Sequence, residues 1–89
     1  MSMAVQERNW RVAANADLHL RYWDEECVLF HGASGDTHRL PALVGRLLER
    51  LMLGSAPVAI LSADVDLHED DVTQALQQLA QRGITEPES

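Results

Sequence analysis

Cys27-Val28-Leu29-Phe30-His31 runs into Gly32-Ala33-Ser34-Gly35-Asp36 and out again through Thr37-His38-Arg39-Leu40. The first five residues are apolar and in part β-branched or aromatic, which is strand chemistry. The next five are turn chemistry. Glycine supplies positive φ at no steric cost, and aspartate bonds its own backbone. The last four return as a second strand, so the stretch reads as a β-hairpin. A tip at Ser34-Gly35 places Ala33 opposite Asp36, His31 opposite His38, and Leu29 opposite Leu40. A slip changes every one of these pairs.

Upstream, residues 10–14 read as a short strand with Trp10 and Val12 on one face. Asn15-Ala16-Asp17 marks a turn. Residues 18–23 alternate in part, with Leu18, Leu20 and Tyr22 against His19, Arg21 and Trp23. Asp24, Glu25 and Glu26 interrupt the pattern.

Downstream the period changes. Pro41 suits the first turn of a helix, where its missing N–H costs nothing. Leu43, Val44, Leu47, Leu48 and Leu51 then form a stripe at helical spacing, opposite Arg46, Glu49 and Arg50. Gly54 caps that helix. Ser55 is the expected N-cap of a short second helix over 56–63; Val58 and Ile60 also fit a strand there, and the helix is favoured. A third helix starts at Asp66 or His68. Glu69, Asp70 and Asp71 suit its first turn, where the helix dipole favours negative charge. Val72, Ala75, Leu76 and Leu79 form its inner face, and Gly83 with Ile84 closes it. Residues 1–8 and 85–89 read as frayed ends.

Strands followed by helices define an α+β domain. The expected architecture is a small winged-helix-like domain, about three N-terminal strands and then three α-helices. One such domain fills 1–89, with an ordered core of about 10–84. Eighty-nine residues hold one core, and 46% apolar composition is ordinary for a folded chain.

The charge bounds the function. Seven basic and fourteen acidic residues leave a net charge of −7. An acidic surface repels nucleic acid and anionic membrane, and suits solubility or a basic partner. A single cysteine, Cys27, excludes an internal disulfide, and its apolar setting marks a buried hydrophobe. The chain shows no signal-peptide core and no run of membrane-spanning length, so a cytoplasmic location is expected.

Catalytic motifs are missing. No phosphate-binding loop and no nucleophile elbow occurs. The acidic runs at 24–26 and 69–71 have structural reasons for their places. His31 and His38, paired across a hairpin with Asp36 nearby, would be the best metal lead, but their spacing matches no zinc signature. The expectation is therefore no enzyme, no cofactor and no metal. A winged-helix regulator of nucleic acid is the alternative, and a small metal-binding protein the next. The last helix opens with His68-Glu69-Asp70-Asp71 and carries Arg82 as its one basic residue, which opposes groove binding. Recognition of a peptide remains: an exposed strand at 37–40 can accept an extended peptide as one more strand.

Trp23-Asp24-Glu25-Glu26, Val28-Leu29-Phe30-His31 and Ala33-Ser34-Gly35-Asp36-Thr37-His38-Arg39-Leu40, followed by a Leu-rich helix, resemble the PqqD family. More narrowly, they resemble the HPr-rel-A system PqqD-like peptide chaperones. Asp71-Val72, Leu76, Leu79 and Gly83-Ile84 fit the family's last helix, and the resemblance spans about 10–84. The stretch 54–67 is shorter than the family's second helix and following turn. The resemblance implies a non-catalytic recognition element for ribosomally made precursor peptides. The leader peptide would add as a strand beside the family's third strand and last helix, for presentation to a modifying enzyme. Carried onto this chain, the strand is Asp36, Thr37, His38, Arg39 and Leu40. The helical wall is Val72, Ala75, Gln78, Leu79 and Arg82. Implied partners are a precursor or leader peptide, its modifying enzyme and an HPr-kinase-like protein. A basic leader would suit Glu69, Asp70 and Asp71 at the rim. An exposed edge also leaves a homodimer open.

Overall fold

The computed structural model describes residues 8–88. The fold is α+β, and the described residues form six strands in two antiparallel sheets and three helices. In chain order these are β1 (Asn9–Val12), β2 (Leu18–Trp23), β3 (Glu26–His31), β4 (Asp36–Pro41), α1 (Ala42–Met52), β5 (Ala56–Pro57), α2 (Val58–Val65), α3 (Glu69–Gln81) and β6 (Thr85–Pro87). Four strands, rather than three, precede the helices, and two more short ones come after α1 and after α3.

The main sheet has the order β2-β3-β4. Its inner face is set by alternation along β3, where Cys27, Leu29 and His31 are buried and Phe30 is exposed. The register differs from the expected one. His31 pairs with Asp36, Leu29 with His38 and Cys27 with Leu40. The connection is a four-residue loop, 32–35, not a two-residue tip. Its closure explains why. Ser34 and Gly35 both donate backbone N–H bonds to the His31 carbonyl, at 3.2 and 2.8 Å, and Gly35 takes φ +81°. The loop is also tied outward, because Gly32 N–H reaches Asp17 O at 2.9 Å and Ala33 N–H reaches Ala16 O at 3.1 Å. His31 and His38 consequently do not face one another. The shift is two residues, so each side chain keeps its face.

The second sheet has the order β5-β1-β6. Residues 85–87, expected to fray, are instead a strand. Val12 pairs with Thr85 and Arg11 with Glu86, and the Arg11 guanidinium meets the Glu86 carboxylate at 2.6 Å. The pairing supplies the backbone partners that a free terminus lacks.

In α1 the buried positions are Gly45, Leu47, Leu48 and Leu51. Leu43, expected in the apolar stripe, is exposed. The segment after Gly54 is a helix, but it begins at Val58 instead of Ala56. Ala56 and Pro57 are drawn into pairs with Trp10 and Asn9, so Ser55 caps nothing and Pro57 stands at the N-cap. Asp66 ends α2 in the left-handed region, φ 59°. α3 ends at Gly83, φ +77°, and the Ile84 N–H returns to Leu79 O at 3.0 Å.

Two apolar clusters share the interior. One joins the helices to β1 through Leu47, Leu51, Leu61, Val65, Val72 and Leu76. The other joins the main sheet to α1 and α3 through Leu18, Leu29, Leu48, Leu79 and Ile84. Val12 touches both.

Candidate peptide-binding groove

β4 is an edge of the main sheet and carries no further strand among the described residues. The N-terminal strand β1 does not cover it and pairs with β5 and β6 instead.

Which backbone groups of β4 face outward follows from one bond. Ala42 N–H donates to Glu25 O at 3.0 Å, and Glu25 and Ala42 flank the Glu26–Pro41 pair. In an antiparallel ladder, bonded pairs alternate with non-bonded ones. The Glu26–Pro41 pair is therefore a non-bonded one, as a proline without an N–H requires. By alternation so are Val28–Arg39 and Phe30–Thr37. The N–H and C=O groups of Thr37 and Arg39 point to the open edge, while those of His38 and Leu40 bond to β3.

Across from that edge stands α3. Ala75, Gln78, Leu79 and Arg82 recur at helical spacing on one face. Together with β4 and Val44 of α1 they enclose a groove of about 520 Å³. Of the ten residues expected to contact a peptide, eight line it: Thr37, His38, Arg39, Leu40, Ala75, Gln78, Leu79 and Arg82. Asp36 lies outside the lining, exposed at the start of β4. Val72 does not belong to the site. It continues the same helical spacing but is fully buried between the helices. Pro41 and Val44 complete the lining. Sequence reasoning placed Val44 only in the inward stripe of α1, and the stripe's first turn ends up beneath the groove.

The floor is apolar, with Leu79 buried and Leu40 and Val44 half-buried. The rim is polar, with Thr37, Arg39, Gln78 and Arg82 exposed. His38 Nε2 is the one buried side-chain nitrogen or oxygen among the described residues that lacks a hydrogen-bond partner. Such an atom is uncommon in a finished interior, and here it sits in the groove wall. Neither Arg39 nor Arg82 belongs to an ion pair among the described residues.

Other candidate chemistry does not assemble. No three His, Cys, Asp or Glu side chains among the described residues converge as metal ligands. The nearest polar partner of His31 is local: its Nδ1 lies 3.0 Å from Ser34 Oγ, inside the hairpin loop. Cys27 is fully buried beneath α1. Burial raises its thiol pKa, and the Glu49 carboxylate adds to the shift, so it is held as the unreactive thiol. No helix among the described residues is long and apolar enough to cross a membrane.

No protein-family model, curated protein or solved structure matches this chain.

Proposed function

We propose that this chain is a non-catalytic peptide-binding adaptor, which takes an extended segment of its partner as an added strand on β4 and against α3. The observation that carries the reading is the coincidence of an open strand edge, a facing helix and an apolar floor in one groove. Outward N–H and C=O groups at Thr37 and Arg39 supply the ladder bonds. Leu40, Val44 and Leu79 supply a surface for alternate side chains of the added strand. The resemblance of residues 23–40 to PqqD-like peptide chaperones points the same way. On that reading the occupant is a precursor peptide, or a segment of an HPr-kinase-like partner, presented to a modifying enzyme in the cytoplasm.

Affinity capture from an extract of the source cells, followed by mass spectrometry, tests this. The tagged protein retains a peptide or protein that both Thr37→Pro and Ala75→Trp release. The first removes an outward N–H without breaking a bond to β3, and the second fills the groove from the helix side. Amide exchange at Thr37 and Arg39 slows when the captured partner is bound. Unchanged exchange at both amides in a complex of demonstrated affinity would sink the added-strand reading.

A further inference from the structure

The groove is a cationic island on an acidic protein. The chain carries fourteen acidic residues against seven basic ones, and every basic one is arginine. Among the described residues no Asp or Glu lines the groove, yet Arg39 and Arg82 both do. The other arginines with partners are committed elsewhere: Arg11 to Glu86 and Arg50 to Asp64. The acidic first turn of α3 lies toward the other end of the groove, one turn before Ala75, and Asp71 is separated from Arg82 by a helical rise of about 16 Å. The basic peptide suggested by Glu69, Asp70 and Asp71 would therefore meet like charge at the Arg82 end of the groove.

The two arginines sit at definable places. β4 side chains alternate, so Arg39 lies on the face of the sheet opposite His38 and Leu40. Arg82 lies at the Thr37 end of the groove: a Cβ on its neighbour Gly83 would come within 4.0 Å of His31 Cε1, and His31 pairs with Asp36 at the start of β4. On its outer side Arg39 shares a shallower depression with Glu25 and Glu26. These offset part of its charge, so Arg82 is the stronger of the two.

We infer that the occupant of the groove is an acidic extended peptide, with apolar side chains at alternate positions, a carboxylate set across from Arg39 on the outer sheet face and another met by Arg82. This rests on the added-strand reading above and specifies its ligand. Carboxylates match the planar fork of arginine, and opposite charges directly across a ladder stabilise it. The preference is local, since the protein's overall charge of −7 disfavours any acidic ligand at long range.

A phage-displayed library of random ten-residue peptides, selected on the folded wild-type protein, tests the inference. Retained sequences are enriched in Asp and Glu over Lys and Arg, by roughly two- to fivefold at each contacting position, as expected for half-exposed ion pairs. The R39E/R82E double variant reverses the bias, and R39K/R82K keeps its sign while weakening it. Both arginines are exposed and belong to no ion pair among the described residues, so the variants stay folded, which their melting curves check. Enrichment of neutral or basic peptides by the wild-type protein, or a bias that survives R39E/R82E, overturns the acidic assignment and leaves the groove standing. If no enriched sequence is lost on Ala75→Trp, the groove reading falls with it.

Discussion

Gly45 of α1 lies so close to Cys27 of β3 that a Cβ on the glycine would stand 2.7 Å from the thiol sulfur. The same atom would be 2.9 Å from Cys27 Cβ and 3.0 Å from the Tyr22 ring. This contact sets how deeply α1 seats on the main sheet, and with it the position of Val44 under the groove.

Gly45→Ala should therefore destabilise the protein, although alanine is the better helix former. Relief of the glycine's backbone entropy is worth about 1 kcal/mol. Overpacking costs about 1–3 kcal/mol, and the steric term wins because Cys27 and Leu29 are both fully buried and cannot retreat. In the Cys27→Ala background the sulfur is gone, and the penalty of Gly45→Ala should shrink. A urea double-mutant cycle measures this; strict additivity would refute the contact.

Gly32 tests the four-residue hairpin loop. A Cβ there would stand 2.8 Å from the Asp17 carbonyl oxygen and would collide with the Asp17 carboxylate. The obstructing carbonyl is the acceptor of the Gly32 N–H itself, so it cannot move without losing that bond. Gly32→Ala should cost about 1–3 kcal/mol. Gly35→Ala meets open space but holds a positive φ, so its cost of about 1 kcal/mol is conformational. Equal effects of a second substitution, Asp17→Ala, on wild type and Gly32→Ala would show that the side chain plays no part in the collision.

Local chemistry was legible where one residue's pattern decided its element. Leu18, Leu20 and Tyr22 define β2, and Gly83 with Ile84 ends α3 where expected. The hairpin register was not legible. Gly32 to Asp36 permits either loop, and the choice is made by bonds to Ala16 and Asp17, which are distant in sequence. Thr85-Glu86-Pro87 carries no strand signal, and its order comes from pairing with residues at the other end of the chain. On α3, helical spacing gave Val72, Ala75, Leu76 and Leu79 as one inner face, and only the family resemblance added Gln78 and Arg82 to the wall; Val72 was carried along because spacing names a face and not how far along it the neighbouring helix extends.

The closing strand should matter to stability more than its length suggests. Ile84 is fully buried, and Thr85 donates its hydroxyl to Leu76 O at 2.9 Å while 2% exposed. Ile84→Val should cost about 0.5–1.5 kcal/mol and Ile84→Ala about 2–5 kcal/mol, the latter near the whole stability expected of a domain this size. Thr85→Val loses the hydrogen bond at nearly constant volume, about 1 kcal/mol. Chemical denaturation of the three variants checks the order; a neutral Ile84→Ala would mean that the C-terminal segment does not seal the core.

Alkaline pH should loosen the protein through Cys27 and Tyr22. Burial, then the Glu49 carboxylate, raises the pKa of both. An acid whose folded pKa lies above its unfolded value binds its proton more tightly when folded. Its contribution to stability is complete below the unfolded pKa, about 8.5 for the thiol and about 10 for the phenol, and is lost as pH rises beyond that. The urea midpoint should thus fall between about pH 8 and about pH 11. Cys27→Ala should remove the earlier part of the fall, and Tyr22→Phe the later part. Alkylation of Cys27 under native conditions should be slow and should track global unfolding, because the thiolate forms only when α1 lifts from the sheet. Rapid alkylation of the folded protein at neutral pH, or a urea midpoint independent of pH across this window, would contradict the packing of Gly45 over Cys27 from which the prediction is derived.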